Sequence, residues 1–489
     1  MTILDLEPKS VWKNFYSLTQ IPRPSGHTQK VAKFLVQFGK DLGLESFQDE
    51  CGNVIIRKPA TPGMEDRKGI ILQGHMDMVP QKNNDKKHDF TKDPIETRIV
   101  HEEDGDWVYA NGTTLGADDG LGVAAAMSVL ESKTLKHGPI EALFTVDEET
   151  RMVGAKALKP GILKGDILLN LDSETEGELY VGCAGGLDAN VTFKYKEAPM
   201  PKGYEAYQII VTGLRGGHSG MEINEGRGNA NKIMARVLMP LLRHLKGKLV
   251  SFNGGNMRNA IPREAEAVIA LPQGRGNAVT KLVGAILATV KSELARIDPN
   301  VSITIAPATG KVTKVIAGTT GTKLVKALYA CPNNVDRMSL EILGLVETSN
   351  NLAIVKTDKG VIEVKTLMRG STDSIKDDLA ESIRCCFELA GAKIFFDGGY
   401  SGWSPNMKSP ILKTMKEQYE KLFGKEPAVM AIHAGLECGI LAGAYPEWDM
   451  ISCGPTLRSP HSPDERAFIP SVAKWWTFLQ AVIENAPKK

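Results

Sequence analysis

Residues 69–80 read GIILQGHMDMVP. The run GIILQ is short and apolar, the signature of a strand buried on both faces, and it leads straight into a histidine and an aspartate. Two further runs repeat the arrangement. IEALFTV at 140–146 leads into Asp147, Glu148 and Glu149, and DILLNL at 166–171 leads into Asp172. Between the first two lies an alanine-rich helical stretch, Leu121 to Leu130. Apolar runs alternating with helices predict an α/β domain with a central, mostly parallel sheet. In such sheets the carboxyl ends of the strands form the crevice where ligands bind. His75, Asp77, Glu148, Glu149 and Asp172 are therefore predicted to converge. A fourth strand, Met450 to Cys453, leads through Gly454 towards His461 and brings a second imidazole to the same rim. Asp118 and Asp119, in GADDG at 116–120, stand where carboxylates meet the positive end of the alanine-rich helix.

Beyond Gly185-Gly186 the character changes. Strands are predicted at Tyr207–Thr212, Ala265–Leu271, Val301–Ala306, Leu352–Thr357 and Val361–Arg369. Helices are predicted at 229–245, 278–297, 321–330 and 374–390. This order reads as an α+β insert, after which the α/β rhythm resumes. The predicted organisation is a first catalytic part at 1–186, an insert at 187–401 and a second catalytic part at 402–489. The glycine pairs 185–186 and 398–399 read as hinges or simple turns.

A chain of 489 residues has room for two or three domains of roughly 100–200 residues each. With 42% hydrophobic and 24% charged residues, disorder and coiled coil are disfavoured. The 59 basic and 58 acidic side chains offer no global attraction for nucleic acid or an anionic membrane, so neither is an expected partner. The start, MTILDLEPKSVWKNF, lacks the basic and apolar regions of a secretion signal. Apolar stretches such as Gly122 to Leu130 fall short of the ~18 residues of a membrane span. Seven cysteines without a C-x-x-C predict neither a disulfide framework nor a thiolate metal site, and fit a reducing cytoplasm.

Taken singly, an acid after a strand is ordinary turn chemistry. Several carboxylates and two histidines on one rim are different, because they repel one another unless a cation neutralises them. Oxygen and imidazole donors without thiolate suit zinc, manganese or cobalt, and a bridging carboxylate implies two ions ~3.5–4 Å apart. Asp77, two residues after His75 on an extended segment, can orient the imidazole. Glu148 and Glu149 are adjacent and cannot both face the metal alike, so one can ligate while the other handles protons.

The segments GHMDMVP (74–80), GADDGLG (116–122), VDEE (146–149), LNLDSE (169–174), GGHSG (216–220) and SPHSPDE (459–465) together resemble the co-catalytic zinc family of aminoacylases, carboxypeptidases and dipeptidases. The insert length, with CAGG, VETSNN (346–351) and HAGLECG (433–439), is most similar to its bacterial aminoacylhistidine dipeptidase branch. The resemblance implies a zinc-peptidase-like catalytic domain interrupted by a lid and dimerisation domain. It implies that His75 and Asp172 hold one metal, that Glu149 and His461 hold another, and that Asp118 bridges them. Asp77 would orient His75, Glu148 would act as general base and acid, and Asp119 would be a neighbour, its role open between the site and holding the turn or the helix end. His218 resembles the family histidine that polarises the scissile carbonyl. Asn259, Arg369 and Gly435 resemble substrate contacts, the guanidinium suiting a terminal carboxylate. His433 and Glu437 stay open between structural roles and pocket lining. The implied activity is hydrolysis of dipeptides, Xaa-His types among them, by water activated between two divalent ions, Zn2+ first and Co2+ or Mn2+ as alternatives. A homodimer is implied too. The alternative is deacylation of N-acyl amino acids at the same centre.

Overall fold

A computed structural model describes residues 2–489 and divides the chain into two compact units. The first comprises the chain up to Cys183, then Trp403–Ala431 and Leu436–Lys489; the second comprises Ala184–Gly402 with Ile432–Gly435.

The first unit is built on an eight-stranded sheet. Its spatial order is Glu45–Gln48, Val54–Lys58, Ile140–Thr145, Ile70–His75, Ile167–Asn170, Asp449–Ser452, Glu178–Cys183 and Ala428–Ile432. The four central strands, Ile140–Thr145 to Asp449–Ser452, run parallel, in the register Gly74 to Phe144, Gln73 to Asn170 and Asn170 to Ser452. The first three of them are buried at every position, which is why they read as continuous apolar runs. The sheet is mixed as a whole, because Glu45–Gln48, Val54–Lys58 and Glu178–Cys183 join it antiparallel. The outermost of these, Glu45–Gln48, is partly exposed and carries no apolar run for a pattern to detect. The helix Ala117–Glu131 is buried along nearly its whole length. A separate four-stranded sheet, Thr97–Glu102, Gly105–Ala110, Leu457–Arg458 and Arg466–Phe468, lies outside the strands predicted from the sequence.

The second unit centres on the antiparallel hairpin Val346–Asp358 and Val361–Gly370. Gly185–Lys194 and Lys393–Tyr400 extend it on one side; Lys248–Gly254, Ala265–Pro272, Tyr204–Thr212 and Ser302–Pro307 extend it on the other. Helices Ala230–His244, Gly276–Glu293, Thr320–Ala330 and Asp373–Leu389 supply its remaining core, with Met234, Leu238, Leu324, Leu328, Ile383 and Phe387 buried against Val191, Ile209 and Phe252.

Three expectations need correction. The first junction lies at 183/184, because Gly185–Lys194 is a strand of the second sheet. Residues 432–435, expected with the closing α/β segment, belong to the second unit, where Ala184 N–H donates to the carbonyls of Ile432 and Ala434 at 3.1 and 3.0 Å. The glycine pairs are not turns. Gly185-Gly186 lies within a paired strand, where a Cβ on Gly186 would come within 2.6 Å of the Tyr400 ring, and Gly398-Gly399 interrupts the pairing between Asp397 and Tyr400. Close approach of neighbours explains the first pair. Among the described residues, no helix is long and apolar enough to cross a membrane.

Candidate active site

His75 is the last residue of its strand, and the strand end carries its ring to three carboxylates. Nε2 lies 3.1 Å from Asp118 Oδ1 and 3.6 Å from Asp172 Oδ1, while Nδ1 lies 3.4 Å from Asp77 Oδ1. His461 Nε2 stands 3.1 Å from Asp118 Oδ2 and 3.1 Å from Glu149 Oε2. The two oxygens of Asp118 therefore face two different imidazoles.

Two trios follow from this geometry, His75 with Asp118 and Asp172, and Asp118 with Glu149 and His461. Within each, one ligand atom per residue lies within 4.8 Å of the others; His75, Glu148 and Glu149 form a third such group. His75 Nδ1 and Glu149 Oε1 are buried without a hydrogen-bond partner. Imidazole and carboxylate donors in two trios sharing one carboxylate fit a pair of divalent cations.

The electrostatics favour positive charge here. Burial opposes a charge on His75, but Asp172, Asp118 and Asp77 together raise its pKa well above the ordinary value. Hydrogen bonds donated by its ring to the carboxylates of Asp118 and Glu149 push His461 up to about 11. Burial works against the charge on Asp118, yet the two imidazoles hold it below the usual carboxylate range. Asp172 and Asp119 are raised, chiefly by burial. Burial also pushes Glu148 up to about 8, with Glu437 and Glu149 adding to the effect and His75 opposing it.

Asp77 does more than face His75. Its Oδ1 accepts the Glu148 N–H at 3.0 Å, and its Oδ2 accepts the Glu149 N–H at 3.4 Å and the Ser25 hydroxyl at 2.7 Å. One buried carboxylate thus fixes both a ligand and the turn that presents the two glutamates. Asp119 belongs to none of the three groups of candidate ligands. It accepts the backbone N–H groups of His75 and Gly122, each at 3.2 Å. A Cβ at Gly74 or Gly122 would come within 2.2 Å of its carboxylate, which requires glycine at both places.

Three buried residues at this site were given no definite role by the sequence. Glu465 closes the quoted segment SPHSPDE and Arg23 lies in an unremarked IPRP, yet both bond to the backbone around the ligands. Glu437, whose role was left open, is buried beneath them. Its Oε2 accepts from Gln73 Nε2 at 2.6 Å and from the Thr145 hydroxyl at 2.8 Å, and burial pushes its pKa up to about 7. Asn170 Nδ2 donates to Gln73 Oε1 at 2.6 Å, the Ser452 hydroxyl donates to Asn170 Oδ1, and Ser173 and Ser452 share a 2.7 Å bond. Gln73 and Asn170 are register partners, and two residues on from them stand His75 and Asp172. The polar row therefore pairs the strands in the register that brings both candidate ligands to one level.

His218, Asn259, Arg369 and Gly435 all belong to the second unit. His218 lies on the short strand Gly217–His218, paired with Ala260–Ile261. Its Nδ1 accepts the N–H groups of Gly220 and Met221 at 3.3 and 3.1 Å. Burial and then Arg369 lower its pKa. Because Nδ1 accepts two N–H groups, a neutral ring carries its proton on Nε2, which lies 3.5 Å from Arg369 Nη2. Arg369 is buried, its Nε has no hydrogen-bond partner, and its Nη1 reaches the Tyr400 hydroxyl at 3.4 Å. A Cβ on Gly435 would stand 3.0 Å from that same hydroxyl. Asn259 is exposed, and its carbonyl accepts the Ser219 N–H at 2.9 Å, next to His218. His433, the other open assignment, is buried, bonds through Nε2 to the Ser349 hydroxyl at 2.7 Å, and is pushed down to about 3 by burial and by Arg369. Two cationic or N–H-bearing groups, Arg369 and His218, side by side can receive an anionic or carbonyl oxygen.

The family model for peptidase family M20/M25/M40 matches residues 71–485, a span that contains every residue of both trios. The chain belongs to this peptidase family. An M20 relative, the cytosol non-specific dipeptidase of Escherichia coli, is 44% identical over 484 residues, covering 99% of each chain. The crystal structure of aminoacylhistidine dipeptidase from Vibrio alginolyticus superposes with a TM-score of 0.95 at 45% identity, covering 100% of this chain and 99% of that one. At 18% identity and a TM-score of 0.56, aminopeptidase PepT from Bacillus cereus shares the M20 fold across 98% of both chains.

Proposed function

We propose that this M20 protein is a cytoplasmic metallo-dipeptidase that cleaves dipeptides of broad sequence, Xaa-His among them. The observation that carries the reading is Glu148, pinned by Asp77 through its backbone and grouped with His75 and Glu149 beside both ligand trios. The names of two relatives that cover nearly the whole chain support the substrate class.

His75 and Asp172 would hold one ion and Glu149 and His461 the other, with Asp118 between them. Bound divalent ions, Zn2+ first and Co2+ or Mn2+ as alternatives, supply Lewis acidity and lower the pKa of water towards 7. Glu148 takes a proton from the attacking water as its oxygen adds to the peptide carbonyl carbon. As the C–N bond breaks, Glu148 returns that proton to the departing amine, leaving two amino acids. Its burial-raised proton affinity suits a group that accepts first and donates later, and neighbouring positive charge draws it back towards the carboxylate form. The His218 Nε2–H donates to the developing oxyanion, Arg369 receives the terminal carboxylate, and Asn259 and Gly435 line the substrate's path. The second unit serves as lid and as the interface of a homodimer.

The test is a substrate panel on protein stripped by a strong chelator and reloaded with zinc, cobalt or manganese. Xaa-His and other dipeptides are expected to be cleaved only after reloading. Preferential cleavage of N-acetyl amino acids would favour the deacylase instead, and turnover untouched by chelation would overturn the metal mechanism. A gel-filtration mass at twice the chain mass checks the dimer.

A further inference from the structure

Asp118 is the one ligand shared by both trios, yet its position is not set by the helix it opens. The turn from Leu115 to Asp118 is held by a single carboxylate. Glu465 Oε2 accepts the N–H groups of Leu115 and Gly116 at 2.8 and 3.0 Å, and its Oε1 accepts those of Ala117 and Asp118 at 2.7 and 3.2 Å. Glu465 is only 2% exposed, and it stands four residues after His461 on the same segment.

The same turn is grasped from its carbonyl side. Arg23, also buried, donates through Nη2 to the Gly116 carbonyl and through Nη1 to the carbonyls of Met76 and Asp77 at 2.9 and 2.8 Å. Gly116 sits at φ 69°, where a side chain is disfavoured, and a Cβ there would come within 2.8 Å of the guanidinium. Three ligand-bearing loops, ending in His75-Met76-Asp77, Asp118 and His461, are thereby joined by one anion and one cation, neither of which belongs to a trio.

We infer that Glu465 and Arg23 are positioning residues for a two-ion centre: together they set the height and angle of Asp118 so that each of its oxygens meets a different imidazole. This role rests on the metallo-hydrolase reading of the same site. A bridging carboxylate tolerates little displacement, because a shift that favours one imidazole withdraws it from the other. Outer partners of metal ligands typically govern metal affinity or activity by about 10–100-fold. Glu465→Gln keeps the shape but turns one acceptor into an N–H2 group facing two backbone donors. Arg23→Lys keeps the charge and loses the planar fork that spans three carbonyls.

The experiment titrates the full-length apoprotein with Co2+, following the visible absorption of the bound ion, and records thermal unfolding of the same samples without metal. Wild type is expected to take up two equivalents. Glu465→Gln is expected to bind the second equivalent about 10–100-fold more weakly, with an altered Co2+ spectrum. Glu141→Gln is the control for a purely structural carboxylate. Glu141 is also buried and accepts from Arg57 Nε at 2.9 Å and from the N–H groups of Lys164 and Gly165 at 2.7 and 2.8 Å, at the opposite end of its strand. That variant is expected to unfold at lower temperature with its Co2+ affinity and spectrum unchanged. If Glu465→Gln behaves like Glu141→Gln, with affinity within about twofold of wild type and an unaltered spectrum, the positioning role is overturned. Should Glu465→Gln fail to fold, Arg23→Lys is judged by the same two readouts. Wild type that binds no Co2+ overturns the metal centre itself and the positioning role with it; wild type that binds two ions beside an unaffected variant overturns the positioning role alone.

Discussion

Asp77 Oδ1 stands 3.0 Å from the backbone nitrogen of Glu148 and 3.4 Å from Nδ1 of His75. One oxygen thus links a metal-ligand candidate to the proposed base. Asp77→Asn retains an acceptor but loses the charge that favours a cationic or metal-bound imidazole. Its kcat/KM is expected to fall about 10–100-fold with reduced metal content, read by steady-state kinetics and elemental analysis. Full activity in Asp77→Asn would remove the charge from the account.

Glu148, the proposed base, belongs to neither trio that shares Asp118. Glu148→Ala is therefore expected to retain both metal equivalents while losing about 10²–10⁴-fold in kcat, the usual scale of general acid–base catalysis. His75→Ala is expected to lose metal as well. Turnover of Glu148→Ala within a few-fold of wild type, at full metal loading, would assign the base elsewhere.

His433 supplies a pH dependence of stability. Its folded value is depressed to about 3, below the ordinary 6.5, so between these limits the unfolded chain binds the proton and the folded chain does not. Stability rises with pH through that window and is lost as pH falls from 6.5 towards 3, by up to about 1.4 kcal/mol per pH unit for one proton. Unfolding midpoints of wild type and His433→Gln, compared at pH 7 and pH 5, should converge at the lower pH. A pH-independent difference would show that the imidazole ionises equally in both states.

The Gln73, Asn170 and Ser452 row makes a separate prediction. Asn170→Leu is nearly isosteric but strands Gln73 Oε1 and leaves the Ser452 hydroxyl only its Ser173 partner, and should destabilise the protein by roughly 1–3 kcal/mol, the cost of leaving one buried polar group unpaired. Denaturant unfolding measures it, and a change under about 0.5 kcal/mol would show that the row is dispensable.

Residues in runs or fixed motifs were legible from the chain alone. Ile70, Leu143 and Leu169 announce buried parallel strands by composition, and the acids that follow such strands share a rim for topological reasons. Their gathering into the groups around His75 and His461 agrees with that expectation. Glu465 and Arg23 escaped because they act on backbone amides and carbonyls, which no side-chain pattern records. Gln73 and Asn170 fall inside the predicted strands, but an apolar-run pattern does not record that each is satisfied sideways by its register partner. The edge strand Glu45–Gln48 offers only a mixed, half-wet pattern, and periodicity finds nothing in it.

The chain departs from the first unit twice, once after Cys183 and again after Ala431, and the second excursion is only four residues long. The insert is consequently not a detachable cassette. Splicing Cys183 directly to Trp403 would strip the carbonyls of Ile432 and Ala434 of the Ala184 N–H and separate His433 from Ser349. A minimal catalytic version, made by design or by gene loss, needs two excisions with two new splice points, and a graft of residues 184–402 into another scaffold would arrive without one of its own pieces.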